Sequence, residues 1–155
     1  MTAPTSHAHH HGGTSWGTHA ADALTRKGTR RSSARDAVVA ALGDQECCAS
    51  AQEIHTRLRA GGSTIGIASV YRTLELLHGM GLVTRVDTGD GVARFEPNHP
   101  DGAHHHHHLV CTRCGAVEAF HDEALEEAIH RVAARVDFRV DAHDVALRGA
   151  CRACR

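Results

Sequence analysis

A chain of 155 residues has room for one large domain or two small ones, and small domains need a metal or a partner subunit to be stable. Aromatic residues make up only 3% of the chain, so aliphatic side chains must build the core, and the formal net charge of −1 does not by itself indicate a nucleic-acid partner. The sequence has no apolar run of about 18 residues and no signal-peptide layout, which predicts a cytoplasmic protein, with no membrane partner, whose six cysteines stay reduced.

The first half of the chain predicts helices followed by one hairpin. Residues 1–21 are rich in His, Gly, Ser and Thr, and we expect a disordered tail whose histidines either buffer metal or have no specific role. Four helices are expected. The first ends near residue 28, the second runs over 33–42 with Ser33 as its N-cap, the third begins at 50 with a capping box, and the fourth spans 68–80. Strands at 82–87 and 92–96 enclose a glycine-containing turn. This order is typical of a winged helix over 22–96, followed by a hinge at 97–103.

The second half, residues 104–155, predicts a small α/β domain and an α+β protein as a whole. A strand is expected over 104–111, a helix over 122–136, and short strands over 138–142 and 145–148. The helix has an acidic first turn and arginines in its later turns, as the helix dipole favours.

Two Cys-x-x-Cys pairs give the strongest chemical signal. They comprise Cys111, Cys114, Cys151 and Cys154. Two such pairs close a tetrahedral four-thiolate shell that suits zinc and leaves no open position, so the predicted zinc is structural. A redox-active pair is the alternative, and two pairs in one small domain argue against it.

A run of five histidines stands just before the first of these pairs, at residues 104–108. Side chains alternate faces along a strand, so His106 and His108 share one face while His105 and His107 share the other. The run can therefore supply two separate metal sites, although a polyhistidine tract by itself is also typical of a solvated segment.

The fourth helix has one apolar face, formed by Val70, Leu74 and Leu77. Arg72 lies opposite that face and Tyr71 lies beside it, which suits contacts with bases and phosphates in a major groove. An ordinary amphipathic helix with a solvated arginine is the alternative.

From about residue 24 to the C-terminus the sequence resembles the ferric uptake regulator family. The resemblance rests on six segments in the family's order and spacing: residues 28–35, 50–53, 69–74, 93–96, 105–115 with His143, and 151–154. It implies a dimeric, metal-dependent repressor that binds double-stranded operator DNA and takes no small molecule other than metal ions.

The resemblance also implies roles for individual residues. The four cysteines match the family's structural zinc site. The regulatory site, for Zn²⁺ or Fe²⁺, falls on Cys48, Glu96, His106 and His108. A further metal site falls on His105, His107, Glu126 and His143. The DNA contacts fall on Arg30, Ser69, Tyr71 and Arg72.

Departures from the family pattern leave the regulatory metal open. Ferrous sensors of this type have His at the position of Cys48, and zinc sensors have a Cys shortly after the position of Glu96 that this chain lacks. Cys47 remains an alternative to Cys48 as the ligand. A zinc enzyme and a pure interaction module are the competing functions, but catalytic motifs are missing and a module would leave the winged helix unexplained.

Overall fold

The computed structural model describes residues 15–99 and 106–155. Along the described chain the elements follow one another in this order: α1 Trp16–Arg26, α2 Ser33–Gly43, β1 Ala49–Ser50, α3 Ala51–Ala60, α4 Ile67–Gly79, β2 Val83–Asp87, β3 Ala93–Pro97, β4 His107–Cys111, β5 Val117–Phe120, α5 Glu123–Arg135 and β6 Ala146–Gly149. The longest helices have 13 residues, and no helix in the described part of the chain has the apolar length needed to cross a bilayer.

The N-terminal half packs four helices against a three-stranded sheet of order β1-β3-β2. α3 begins with the predicted capping box: the Ser50 hydroxyl accepts from the Glu53 amide at 3.2 Å, and the Glu53 carboxylate accepts from the Ser50 amide at 2.7 Å. The central strand β3 pairs antiparallel with both neighbours, and its Phe95 is fully buried. Helices and a two-stranded wing thus enclose one apolar core, as the winged-helix prediction requires.

The C-terminal half is a second three-stranded sheet, of order β5-β4-β6, together with α5. β4 pairs antiparallel with β5 and parallel with β6. Only three of the buried apolar side chains in the described chain belong to this half, namely Val110, Cys111 and Ala133. So small a core needs support from metal or from another subunit.

The first helix begins earlier than the sequence predicted. Residues 16–21, assigned to the disordered tail, form the first turns of α1, which Ser15 caps by accepting from the Thr18 amide. Trp16 is buried, and its indole Nε1 donates to the Leu82 carbonyl at 2.9 Å. The spacing of Trp16, Ala20 and Leu24 along one helix face was the missed signal. The tail histidines His7, His9, His10 and His11 lie outside the described residues.

Three smaller details of the structure also differ from what the sequence predicted. Residues 138–142 form no strand within the described chain, whereas β1 and β5 were not predicted. β1 has only two residues, too few for a pattern, and its pairing with β3 alone defines it. The N-cap of α2 is Ser32 rather than Ser33.

Candidate metal centres and DNA-facing helix

The four cysteines of the two Cys-x-x-Cys pairs converge on one point, which we call the four-cysteine cluster. β4 ends at Cys111, and its parallel register places Gly149 of β6 opposite that residue. The second pair therefore starts beside the first, although 36 residues separate Cys114 from Cys151. All four Sγ atoms lie within 4.8 Å of one another, and the Sγ atoms of Cys114 and Cys151 are 3.8 Å apart.

This geometry fits a tetrahedral zinc ion. A Zn–S bond of about 2.3 Å implies a sulfur–sulfur separation of about 3.8 Å at the tetrahedral angle. The Cys151 amide donates to the Cys111 sulfur at 3.3 Å and lowers the pKa of that thiol to about 6, whereas the neighbouring Cys151 thiol raises the pKa of Cys154 to about 12. A bound cation would favour the thiolate form of both. The four-cysteine cluster therefore fits a structural zinc, which would leave no position for a substrate.

A second set of donors joins the two halves of the chain; we call Cys47, Glu96, His106 and His108 the thiol–histidine cluster. Cys47 lies between α2 and β1, Glu96 lies in β3, and the histidines lie at the start of β4. The donor atoms of Cys47, His106 and His108 lie within 4.8 Å of one another. Glu96 Oε2 is 3.0 Å from His106 Nε2 and 3.3 Å from His108 Nε2.

The geometry at this cluster favours Cys47 over the Cys48 predicted from the sequence. The Gln45 side chain donates to the Phe95 carbonyl at 2.9 Å and holds the loop beside the strand that bears Glu96. Residues 46 and 47 then form a bend ahead of β1, which leaves Cys47 half-buried and Cys48 buried. Its sulfur lies 4.0 Å from that of Cys47, outside the group formed with the histidines. Both Cys residues were visible in the sequence, but which one turns towards β4 depends on the path of this loop.

Charge is balanced within the thiol–histidine cluster. The Cys48 thiol lowers the pKa of Cys47, and the same pairing raises the pKa of Cys48. Hydrogen bonds to the Cys47 sulfur and to Glu96 raise the pKa of His106 to about 10 and that of His108 to about 9. Burial opposes ionisation of Glu96, but hydrogen bonds from the two histidines outweigh it and lower its pKa to about 2. Two anions thus face two imidazolium groups, whose protons a cation would replace.

The thiol–histidine cluster is reachable from solvent. A cavity of about 610 Å³ lies against Cys47, Glu96 and His106, and Glu46 and His99 also line it. A metal ion therefore has a path to the cluster without unfolding of either half.

A third set of donors lies on the opposite face of β4; we call His107, Glu126 and His143 the carboxylate–histidine cluster. His107 Nε2 is 2.7 Å from Glu126 Oε1, and His143 Nε2 is 3.0 Å from Glu126 Oε2. The three donor atoms lie within 4.8 Å of one another. His105, assigned to this site from the sequence, lies outside the described residues.

α4 turns the predicted face outward. Val70, Leu74 and Leu77 are fully buried, while Tyr71 and Arg72 are exposed. An Arg72 guanidinium nitrogen donates to the Ser69 hydroxyl at 3.1 Å, which keeps these two polar groups together on the surface. Arg30 is exposed in the loop between α1 and α2.

A polar contact that the sequence analysis missed connects the wing, residues 87–93, with the C-terminal half. Arg94 is buried, donates to both carboxylate oxygens of Asp90, and reaches the Gly115 carbonyl at 3.5 Å. Arg148 donates to the Thr88 carbonyl at 3.1 Å. A Cβ at Gly89 would lie 2.6 Å from Arg148 Nε, so the approach needs glycine there. No motif reveals such a contact, since its partners are as many as 60 residues apart.

Comparison with known proteins gives one consistent result. The sequence profile of the ferric uptake regulator family matches residues 26–148. A ferric uptake regulation protein of Bacillus subtilis is 36% identical over 113 residues, which are 73% of this chain and 76% of the relative. One from Vibrio cholerae is 35% identical over 130 residues, covering 83% and 85%.

Solved structures agree with the sequence relatives. The Vibrio cholerae ferric uptake regulator, whose structure reveals a rearrangement of its DNA-binding domains, superposes with a TM-score of 0.73 at 34% identity over 84% of this chain and 98% of its own. The Helicobacter pylori regulator, with three functional metal binding sites, gives a TM-score of 0.74 at 25% identity over 86% and 87%. A zinc-bound manganese uptake regulator gives 0.72 at 29% identity over 85% and 98%.

Proposed function

Because the chain belongs to the ferric uptake regulator family, we propose that it represses transcription by binding operator DNA as a homodimer when metal fills the thiol–histidine cluster. The chain is a metal-responsive transcription regulator, not an enzyme, so the zinc-enzyme alternative is abandoned. We further propose that it acts in the cytoplasm, where its DNA would be.

The observation that carries this proposal is the cluster's position between the halves. Cys47 and Glu96 come from the winged helix, whereas His106, just ahead of β4, and His108, in β4, follow the proposed hinge at 97–103. An ion bound by all four ties the winged helix to the second domain, proposed to span 104–155. In a dimer, that tie sets the distance between the two copies of α4, and helices spaced for successive major grooves bind tightly.

On DNA, we propose that α4 enters the major groove. Tyr71 and Arg72 are exposed beside Ser69 on the face of α4 opposite the core, where they can meet base edges and phosphates. Arg30, exposed ahead of α2, suits a phosphate contact.

The proposed dimer contact is an apolar surface of the C-terminal half. A cavity of about 340 Å³ on this surface is lined entirely by apolar residues of α5 and the segment after it: Ala128, Ile129, Val132, Ala133, Val136, Phe138 and Val140. Leu109 and Leu147, neighbours in the β4–β6 register, lie on the sheet face that also carries His107. Exposed apolar surface of this kind marks a protein interface.

Two metal assignments complete the proposal. The regulatory ion is Zn²⁺ or Fe²⁺, since thiolate and imidazole ligands with one carboxylate suit either. The carboxylate–histidine cluster, with His105, is a further metal site within the second domain.

The test is metal-dependent DNA binding. A duplex is selected from a randomised pool with zinc-loaded protein, and its affinity is then measured by fluorescence anisotropy with and without Zn²⁺, and anaerobically with Fe²⁺. Metal should tighten binding about 5- to 150-fold, the usual range of an allosteric coupling. Cys47→Ser should abolish the response while keeping the dimer and the structural zinc.

Cys48→Ser is the matched control and should respond to Fe²⁺ nearly as the parent does. If Cys48→Ser fails and Cys47→Ser responds, Cys48 is the ligand, as the sequence alone predicted. If metal has no effect on DNA binding in the parent, the regulatory role of the cluster is wrong.

A further inference from the structure

We infer that Cys47 and Cys48 act together as a bidentate dithiolate, so that the thiol–histidine cluster takes thiophilic cations in a shell with two sulfurs. This inference rests on the proposed function, because it concerns the same cluster. It adds Cys48 to the three-donor group as a second sulfur ligand, and with it a class of ions that prefer sulfur to oxygen.

The separation of the two sulfurs carries the argument. The Sγ atoms of Cys47 and Cys48 are 4.0 Å apart, because the bend at residues 46 and 47 brings these neighbouring side chains together. Two thiolates on one zinc ion are about 3.8 Å apart, and a larger soft ion needs slightly more. In the four-cysteine cluster, Cys114 and Cys151 are separated by 3.8 Å. The vicinal pair is therefore already spaced for one shared ion.

Cys47 belongs to two donor sets at once. Its sulfur lies within 4.8 Å of the His106 and His108 donor atoms and within 4.0 Å of the Cys48 sulfur. An ion can thus bind through Cys47, the imidazoles and the Glu96 carboxylate, or shift towards Cys48 and exchange the carboxylate oxygen for a second sulfur.

The nature of the ion decides between these two shells. Thiolates select soft ions, whereas carboxylates suit Mn²⁺ and other hard cations. Cys48 is buried, so water has little access to its sulfur. Water also competes with a thiolate less well for a soft ion than for a hard one. A thiophilic ion such as Cd²⁺ therefore takes both sulfurs, and Mn²⁺ keeps Glu96.

The experiment compares Cd²⁺ with Mn²⁺ on two variants, Cys48→Ser and Glu96→Gln. The full chain is used, reduced with a phosphine, with its four-cysteine cluster filled by zinc. Cys48→Ser should weaken Cd²⁺ binding on the order of 100-fold, the upper end of the loss seen when even an outer-shell partner is removed. The same change should leave Mn²⁺ affinity within a few-fold of the parent. Glu96→Gln should weaken Mn²⁺ binding more than Cd²⁺ binding.

A spectroscopic readout makes the test independent of the variants' folding. The cadmium-113 resonance of the parent protein should lie in the range of two-sulfur shells, and the cadmium–thiolate absorption should correspond to two thiolates. A one-sulfur resonance in the parent, or equal Cd²⁺ affinity in parent and Cys48→Ser, overturns the inference. Either result is compatible with the proposed function if Fe²⁺ or Zn²⁺ still controls DNA binding. The two-sulfur shell and the proposed function can therefore be disproved separately.

Discussion

Each thiol of the four-cysteine cluster matters because the C-terminal half has little else to hold it together. Only Val110, Cys111 and Ala133 are buried apolar residues in this half of the described chain. Structural zinc in small domains binds with an apparent free energy of about 10–16 kcal/mol, which is comparable to the whole stability of a domain, about 5–15 kcal/mol. A zinc ion bound by the four cysteines would therefore supply a large part of the stability of this half.

We expect Cys114→Ser to release the structural zinc and unfold the C-terminal half, because three thiolates cannot close the shell. Metal analysis and circular dichroism of the purified variant measure both effects. Cys48→Ser makes the same chemical change outside the cluster and should keep its structural zinc. A folded, zinc-free Cys114→Ser dimer would contradict the assignment.

Protonation of two imidazoles predicts how pH controls metal loading. His106 and His108 have pKa values raised to about 10 and about 9, so both carry protons at pH 7 in the metal-free cluster. Metal binds only the neutral imidazole, so binding should release about two protons and become tighter as pH rises towards 9. Calorimetry in buffers of different ionisation enthalpy measures the release.

Glu96→Gln should release fewer protons, since removing the carboxylate removes one cause of both raised pKa values. A binding enthalpy that does not depend on the buffer would show that the imidazoles are already neutral before metal arrives.

Single residues also show where sequence reasoning stops. Strand alternation correctly separates His106 and His108 from His107, because a period of two leaves no choice. The choice between Cys47 and Cys48 follows instead from the irregular loop after α2, which has no period to read. For that reason the sequence predicts one cysteine, Glu96 and two histidines as donors of the thiol–histidine cluster, but it does not decide between Cys47 and Cys48.

At the scale of elements, α4 combines two functions on opposite faces. Its fully buried Val70, Leu74 and Leu77 fix the helix to the core, and this leaves Tyr71 and Arg72 outside. The spacing of the apolar residues was sufficient to predict this orientation.

We expect Arg72→Ala to weaken binding of the selected duplex by about 1–3 kcal/mol if Arg72 contacts a base. The melting temperature should change little because the side chain is exposed. Arg131→Ala, an exposed arginine on α5, is the matched control and should leave DNA binding unchanged. A large loss of thermal stability with normal DNA affinity would mean that Arg72 supports the fold rather than the contact.

Long periodic elements were predictable, and short or partner-dependent ones were not. α2 to α5 and the wing strands lie within a few residues of their predicted bounds, since each has a clear apolar period or a capping signal. β1 has two residues and is defined by its distant pairing with β3, and β5 has four residues and is defined by its pairing with the neighbouring β4. Residues 138–142 have the alternation of a strand but no pairing partner within the described chain.

For the whole molecule, the exposed apolar surface formed by α5 and the segment after it predicts a stable dimer. Val132, Val136 and Phe138 are 50–68% exposed in the single chain. A side chain of this size contributes about 1.5–3 kcal/mol when fully buried, and a two-fold interface counts each contact twice.

Phe138→Asp should therefore weaken dimerisation by about 1.5–3 kcal/mol per subunit, a shift that sedimentation equilibrium detects. Arg139→Ala changes the neighbouring residue, which forms an exposed ion pair with Asp141, and should leave the dimer intact. An unchanged dimer in Phe138→Asp would place the interface elsewhere.

The contact between wing and second sheet limits how this regulator could be recombined with others. Arg94 reaches the carbonyl next to Cys114, and Arg148 lies against a wing turn that has no room for a side chain at Gly89. The winged helix and the second domain of this chain therefore have complementary contact surfaces, and neither can be exchanged without changing this contact. A chimera that joins this winged helix to the second domain of a relative should keep its DNA preference, yet lose metal control unless Arg148 and the Gly115 loop of this chain are transplanted with it.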